Sequence, residues 1–157
     1  MTATIKTDIC IIGAGSGGLS VAAGASQMGA DTVLIERNKM GGDCLNYGCV
    51  PSKALIAAGH TAHLMRHSDR FGIKSVTPQV DFAKVRDHVR GVIAAIEPND
   101  SVERFTGLGV NVISGTAKFI NPDTVEAEGR LVQAMRFVIA TGSSAMIPPI
   151  PGLDQVA

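Results

Sequence analysis

Two cysteines, Cys44 and Cys49, stand with four residues between them in the run Gly41-Gly42-Asp43-Cys44-Leu45-Asn46-Tyr47-Gly48-Cys49-Val50-Pro51-Ser52-Lys53. A short loop can bring such thiols within bonding distance, and the pair can then be reduced, exchange with a substrate and be reoxidised. Cys49 directly precedes a predicted helix, whose dipole favours a thiolate there. A zinc site would need two more ligands, and Cys10, the third cysteine of the chain, lies in an apolar run. Two unrelated free thiols are the plainer alternative. Cys10 itself reads as a small buried hydrophobe, because nothing polar adjoins it. His60, His63 and His67 recur at spacings of three and four, which raises a metal site. They fall opposite the apolar stripe Leu55, Ala58, Ala62 and Met65, however, and no nearby carboxylate or thiol completes a ligand set. A solvated helix face is the expected reading, and no metal is expected.

The second chemical feature is Gly13-Ala14-Gly15-Ser16-Gly17-Gly18, which follows an apolar strand and opens a helix. In a dinucleotide fingerprint Gly13 permits the tight turn, Gly15 lets a pyrophosphate approach the backbone, and Gly18 lets helix and strand pack closely. The helix that opens at Ser16 offers free amides and a partial positive charge to phosphates. Glu36 ends the next predicted strand and is placed to accept hydrogen bonds from a ribose. The fingerprint alone does not choose between NAD and FAD.

The elements that must hold these residues are legible in the apolar pattern. Ile5–Ile12 and Thr32–Glu36 read as buried strands on either side of a helix from Ser16 to about Met28, stopped by Gly29. Pro51–His67 reads as a helix with Pro51 in its first turn. Asp81–Glu97 repeats the helical period through Phe82, Val85, Val89, Val92, Ile93 and Ile96, and a short helical piece is expected over Asn99–Phe105. After Gly109 the period becomes two. Strands are expected at Val110–Ser114, Ala117–Ile120, Thr124–Ala127 and Leu131–Ala134, forming a small antiparallel meander, with another buried strand at Phe137–Ala140. The proline-rich stretch Ile147–Gly152 reads as a linker.

Composition narrows the class. A chain of 157 residues supports one domain and is short for a two-substrate redox enzyme. The hydrophobic fraction is 45% and the net charge is zero, so neither a nucleic-acid footprint nor a disordered acidic tail is indicated. No apolar run approaches the ~18 to 20 residues that span a bilayer, and Met1–Asp8 lacks signal-peptide features. No nucleic-acid or membrane partner is expected. A cytoplasmic location is the default, and there a cysteine pair is chemical rather than structural.

The Gly41–Lys53 run closely resembles the redox-active segment of the pyridine nucleotide-disulfide oxidoreductases, the group of dihydrolipoamide dehydrogenase, glutathione reductase and mercuric reductase. The fingerprint, Glu36, Gly115-Thr116-Ala117 and Ala140-Thr141-Gly142-Ser143 follow in that family's order. Pro-Ser-Lys after the second cysteine is most similar to the mercuric reductase-like and dihydrolipoamide dehydrogenase branches. The resemblance implies an α/β fold: a Rossmann-like FAD-binding domain over residues 1–146, with a parallel sheet plus the small antiparallel meander, and a linker at 147–157 toward an NAD(P)-binding domain. It implies that FAD lies on Gly13, Gly15, Ser16, Gly18 and Gly42, with its ribose on Glu36 and Arg37 near the adenosine. The backbone of Ala117 would meet the adenine, Thr141 and Gly142 would pass close to the cofactor, and Lys53 would sit by the flavin ring. Cys44 would be the interchange thiol and Cys49 the flavin-facing one. Electrons would pass between NAD(P)H, FAD and the pair to a small-molecule disulfide, dithiol or metal-ion substrate, in a homodimer whose partner subunit adds a histidine and a glutamate.

Two departures qualify the resemblance. Asp43 stands where threonine is common, and an ionised carboxylate would repel cofactor phosphates, so Asp43 is expected to turn away or to offer only its backbone. The family's later domains have no counterpart in these residues, so the span by itself would not complete the relay, and exposed apolar surface is expected. The alternative reading is a stand-alone nucleotide-binding or thiol-redox sensor without turnover.

Overall fold

The computed structural model describes residues 4–144 and 146–155. Strand β1 (Thr4–Ile12), helix α1 (Ser16–Gln27) and strand β2 (Thr32–Glu36) form the opening unit, with β1 and β2 parallel and Ile11 opposite Leu34. Two helices follow close together, α2 (Gly42–Asn46) and α3 (Cys49–Arg66), then α4 (Phe82–Ile96) and α5 (Val102–Gly107). Asp81 caps α4 by accepting from the amides of Ala83 and Lys84 at 3.1 and 3.3 Å. The chain then returns as β3 (Asn111–Ser114), β4 (Lys118–Asn121), β5 (Thr124–Ala127) and β6 (Arg130–Ile139).

All six strands belong to one sheet, ordered β3-β2-β1-β6-β5-β4. The β3, β2, β1 and β6 pairings are parallel, whereas β6, β5 and β4 pair antiparallel. The α/β class and the mixture of parallel sheet and meander are as expected, but the meander is an extension of the central sheet and not a separate unit. The reason is β6. Leu131–Ala134 and Phe137–Ala140, read as two strands, are one strand running past Met135 and Arg136, which are both exposed. Its first half lies between β1 and β5, and its second half pairs with β1 alone. With one neighbour only, the end of β6 is not buried as expected: Phe137 and Val138 are half-buried and Ile139 is 69% exposed. A two-residue turn joins β5 to β6, with positive φ at both Glu128 (49°) and Gly129 (72°), the twist a tight hairpin requires.

The sheet buries both faces, as parallel strands do. On one face Ile11, Leu34 and Val110 pack with Leu19 and Ala22 of α1 and Phe105 of α5. On the other, Cys10, Val33, Ile35 and Ile113 join Val125 and Val132 of the meander. Helices α3 and α4 differ, because they pack chiefly on each other and meet the rest through α2. Along α3 only Ala54 is buried, while Leu55 and Met65 of the predicted stripe are exposed and the seam is left to the half-buried Ala58 and Ala62. Exposed apolar side chains gather along this arm, among them Ile56, Phe71, Ile73 and Phe82. From residue 140 onward the described chain has no strand or helix before a 3-10 turn at Leu153–Gln155. Residues 1–3 and 145 of the expected domain, and residues 156–157 of the expected linker, lie outside the described residues.

Burial predicts the response to truncation. Leu34→Ala should lower the unfolding free energy by about 2–5 kcal/mol in urea titrations, whereas Ile139→Ala at the exposed end of β6 should stay within about 0.5 kcal/mol.

Candidate functional site

The site is built where the parallel strands end. Gly13 follows β1 with φ +105°, and a Cβ there would overlap the carbonyl of Ala140, so only glycine fits. A Cβ on Gly18 would run into the Gly13 carbonyl oxygen, which is the close helix-strand approach expected of that residue. Gly15 caps α1 with an extended backbone, no side chain caps the helix, and no acid stands in its first turn. The first amides of α1 are therefore free for an anionic ligand. A second glycine turn closes on the first. Gly41 donates its N–H to the carbonyl of Ala14 at 2.9 Å, Gly15 and Gly41 form a β-bridge, and a Cβ on Gly42 would lie 2.6 Å from the Gly15 Cα.

Glu36 ties β2 to this arrangement. Its Oε2 accepts from the Ala14 N–H at 2.6 Å and its Oε1 from the Asn38 N–H at 2.7 Å. Together these elements enclose a cleft of about 690 Å³ lined by Gly13, Gly15, Glu36, Arg37, Gly42, Ala117, Thr141 and Gly142. That size suits a cofactor-sized ligand. Free helix amides, a side-chain-free floor and an acid at the strand end fit a dinucleotide. Five predicted site residues do not line this cleft, Cys44 and Cys49 among them. Gly18 lies under its floor, Ser16 opens onto a separate cavity of about 320 Å³ beside Asp100 and Arg104, and Lys53 is exposed on α3. Lys53 misses the cleft because α3 leads away from the sheet.

Other wall residues were not anticipated. Asn46 donates from Nδ2 to the carbonyls of Met40 and Gly42 at 3.1 and 2.9 Å, bracing the turn. Tyr47 is 70% exposed, with the Lys39 Nζ 6.0 Å from its ring centroid, and both line the cleft. Position within the cysteine run was the one available signal for Asn46 and Tyr47.

The expected loop between the cysteines contains a helical turn, and α3 begins two residues earlier than its apolar pattern suggests. Cys44 lies on α2 and Cys49 is the first residue of α3. Both thiols are free, Cys44 half-buried and Cys49 exposed. Cys44 is held above the ordinary thiol range, first because its S–H donates to the Cys49 sulfur, then through burial and the charge of Cys49, with a smaller contribution from Asp100. The Cys49 backbone N–H acts in the opposite sense. Asp43 offers its carbonyl to the amides of Tyr47 and Gly48 at 2.9 and 2.7 Å. Its carboxylate leans toward Gly48, where a Cβ would stand 3.0 Å from Oδ2, though the residue still forms part of the cleft wall. Cys10 is fully buried, and burial pushes its thiol up to about 11. His60, His63 and His67 are exposed on or just past α3, with the rings of His63 and His67 stacked at 4.2 Å.

Fold and site define an α/β domain whose glycine-walled cleft adjoins a thiol pair. The chain belongs to the pyridine nucleotide-disulphide oxidoreductase family, whose model matches residues 7–157. It is 38% identical to a mercuric reductase of Bacillus cereus over 95% of this chain and 24% of that protein. It is 40% identical to a dihydrolipoyl dehydrogenase of Haloferax volcanii over 94% of this chain and 32% of that protein. Among solved structures, the HOCl-induced flavoprotein disulfide reductase RclA from Escherichia coli superposes with a TM-score of 0.73 at 26% identity, over 92% of this chain and 30% of that one. The chain thus spans about a quarter to a third of the length of the curated relatives it matches. Among the described residues, no helix is long and apolar enough to cross a membrane.

Thiol chemistry follows from this geometry. Under native conditions a chromogenic disulfide should react with Cys44 and Cys49, and with Cys10 only after unfolding. A raised thiol yields thiolate only at higher pH, so alkylation of Cys44 should set in at more alkaline pH than that of a free cysteine. Cys49→Ala removes the largest cause and should move the profile back down, as read by mass spectrometry across pH 6–10.

Proposed function

We propose that the chain is the FAD-binding part of an NAD(P)H-dependent flavoprotein disulfide oxidoreductase, mercuric reductase-like or dihydrolipoamide dehydrogenase-like. In it, electrons pass between NAD(P)H, FAD and the Cys44–Cys49 pair to a disulfide, dithiol or metal-ion substrate. One observation carries this reading: the glycine turn that closes the cleft against Gly15 is the same turn that opens the helix bearing Cys44. A nucleotide site and a thiol pair built on one turn are suited to electron exchange between them.

The amides from Gly15 to Gly18 would hold the pyrophosphate and Glu36 the ribose, with Arg37 and the Ala117 backbone toward the adenosine and Thr141–Gly142 along the opposite wall. Lys53 stands one helical turn beyond Cys49 and would take its flavin-side role from α3. FAD, when bound, supplies the two-electron carrier between NAD(P)H and the thiols. Cys44 is the exchanging sulfur and Cys49 its partner toward the cofactor. Because Cys44 holds its proton firmly, it needs a base, and His60, the histidine nearest in sequence to the pair, lies three turns along α3 on an exposed face. A histidine from a partner subunit, as the family resemblance implies, would meet that need in a homodimer. The names of the relatives support mercuric ion or a small dithiol as substrate classes. Working free thiols fit a cytoplasmic setting.

Gly15 provides the test. Its backbone is extended and a Cβ would meet only the Gly42 Cα at 3.9 Å, so alanine is compatible with the fold yet stands where the pyrophosphate would approach. Gly15→Ala should weaken FAD binding, followed by flavin fluorescence quenching, by about tenfold or more while leaving thermal unfolding of the FAD-free chain unchanged. Equal affinity in the two proteins would sink the assignment of the cleft.

A further inference from the structure

A half-buried carboxylate with no part in the chemistry above stands beside the thiol pair. Asp100 ends the 3-10 turn Glu97–Asp100 that links α4 to α5, and its Oδ2 lies 3.1 Å from where a Cβ on Gly41 would stand. It therefore faces the turn from which α2 and Cys44 arise. Among the described residues the ion pairs are Lys84 with Asp81 and Arg90 with Asp87, so none neutralises Asp100. Arg104 lines the same cavity, but its Nη1 donates to the Asn99 carbonyl at 2.5 Å. The charged groups around Cys44 are Asp43 on its own helix, Cys49 at the start of α3, and Asp100 from the α4–α5 turn. Lys39 is drawn over the Tyr47 ring and Lys53 is exposed on α3. Of these, Cys49 and Asp100 both hold the Cys44 proton more firmly.

We propose that Asp100 is a specificity-determining residue of the thiol pair, placing a fixed negative charge where substrate approaches Cys44 and so favouring cationic over anionic substrates. The inference rests on the reading of Cys44 as the exchanging sulfur. In exchange, Cys44 gives its proton to solvent or base and its thiolate attacks one sulfur of a disulfide. The substrate S–S bond breaks, and the departing thiolate takes up a proton. The Cys49 thiolate then attacks the Cys44 sulfur of the mixed disulfide and releases the second thiol. The pair is oxidised by two electrons and the substrate disulfide is reduced by two. Throughout, a charge carried next to the substrate sulfur meets Asp100.

The reduced full chain is offered three small disulfides at low ionic strength: cationic cystamine, neutral 2-hydroxyethyl disulfide and anionic dithiodiglycolate. Closure of Cys44–Cys49 is followed by mass spectrometry. The ratio of cystamine to dithiodiglycolate rates should fall by about three- to tenfold in Asp100→Asn, the size expected when one charged neighbour of the reacting sulfur is removed near a protein surface. Asp100→Glu should retain the ratio, and added salt should narrow it in the unsubstituted chain. A purely structural role at the entry to α5 would instead slow all three reagents together. The same ratio in Asp100→Asn, or a ratio indifferent to salt, overturns the proposal. If none of the three disulfides closes the pair, the reading of Cys44 as exchanging sulfur fails first, and this inference falls with it.

Discussion

Everything at the site depends on two stretches of backbone touching where neither Gly41 nor Gly42 could carry a side chain. The fingerprint turn and the Gly41–Gly42 turn meet through the Gly15–Gly41 bridge and the bond from the Gly41 N–H to the Ala14 carbonyl. Gly41 and Gly42 both have positive φ, 82° and 55°, a conformation that ordinary residues adopt only with strain. Glycine in place of a better-ordered residue costs about 0.5–1 kcal/mol in backbone entropy, so two in succession mark a place where close approach outweighs stability. That approach fixes how far Cys44 lies from the cleft. Moving one turn would move both.

Glu36 extends the same constraint to the sheet. Read from sequence it is a ribose acceptor, yet its two oxygens already hold the amides of Ala14 and Asn38. A carboxylate oxygen has two lone pairs, so a hydroxyl can still bind beside each amide. The acid therefore shapes the fingerprint turn and remains open to ligand. Replacing it would disturb the loop before it disturbed recognition, and a loss of binding on substitution would have two causes.

The parts that were legible in the sequence are those with a strong period or an obligatory residue type. Ile5–Ile12 and Thr32–Glu36 are close to β1 and β2 because strands buried on both faces read as continuous apolar runs. The fingerprint glycines lie where their spacing put them. Short elements held by tertiary contacts were less legible. Helix α2 has five residues, too few to show a helical period, and is fixed by the glycine turn and by Leu45, which is 2% exposed. The preference of proline for a first turn points to a start of α3 at Pro51, but Pro51 fills the third position, so the helix reaches back to take in Cys49. Met135-Arg136 broke the apolar run of β6 without breaking the strand, because pairing with β1 continues through Arg136. Asp100 gave no sequence signal at all. Its nearness to Gly41 is a consequence of how α4 returns toward the sheet.

The thiol pair lies on the boundary between two differently supported regions. Cys44 belongs to α2, anchored by the buried Leu45 and by backbone contacts to the fingerprint, whereas Cys49 opens α3, which leads into an arm with little buried surface. Apolar groups left in water supply no packing energy, and an arm held mainly through its partner helix has fewer restraints than the sheet. The separation of the two sulfurs is therefore set on one side by close-packed glycine backbone and on the other by whatever covers Leu55, Ile56, Phe71 and Phe82. Thiol-disulfide exchange depends on that separation, because the S–S bond tolerates only a narrow range of geometry. Covering the arm would stiffen α3 and with it the position of Cys49, so the redox behaviour of the pair is tied to surfaces far from either sulfur.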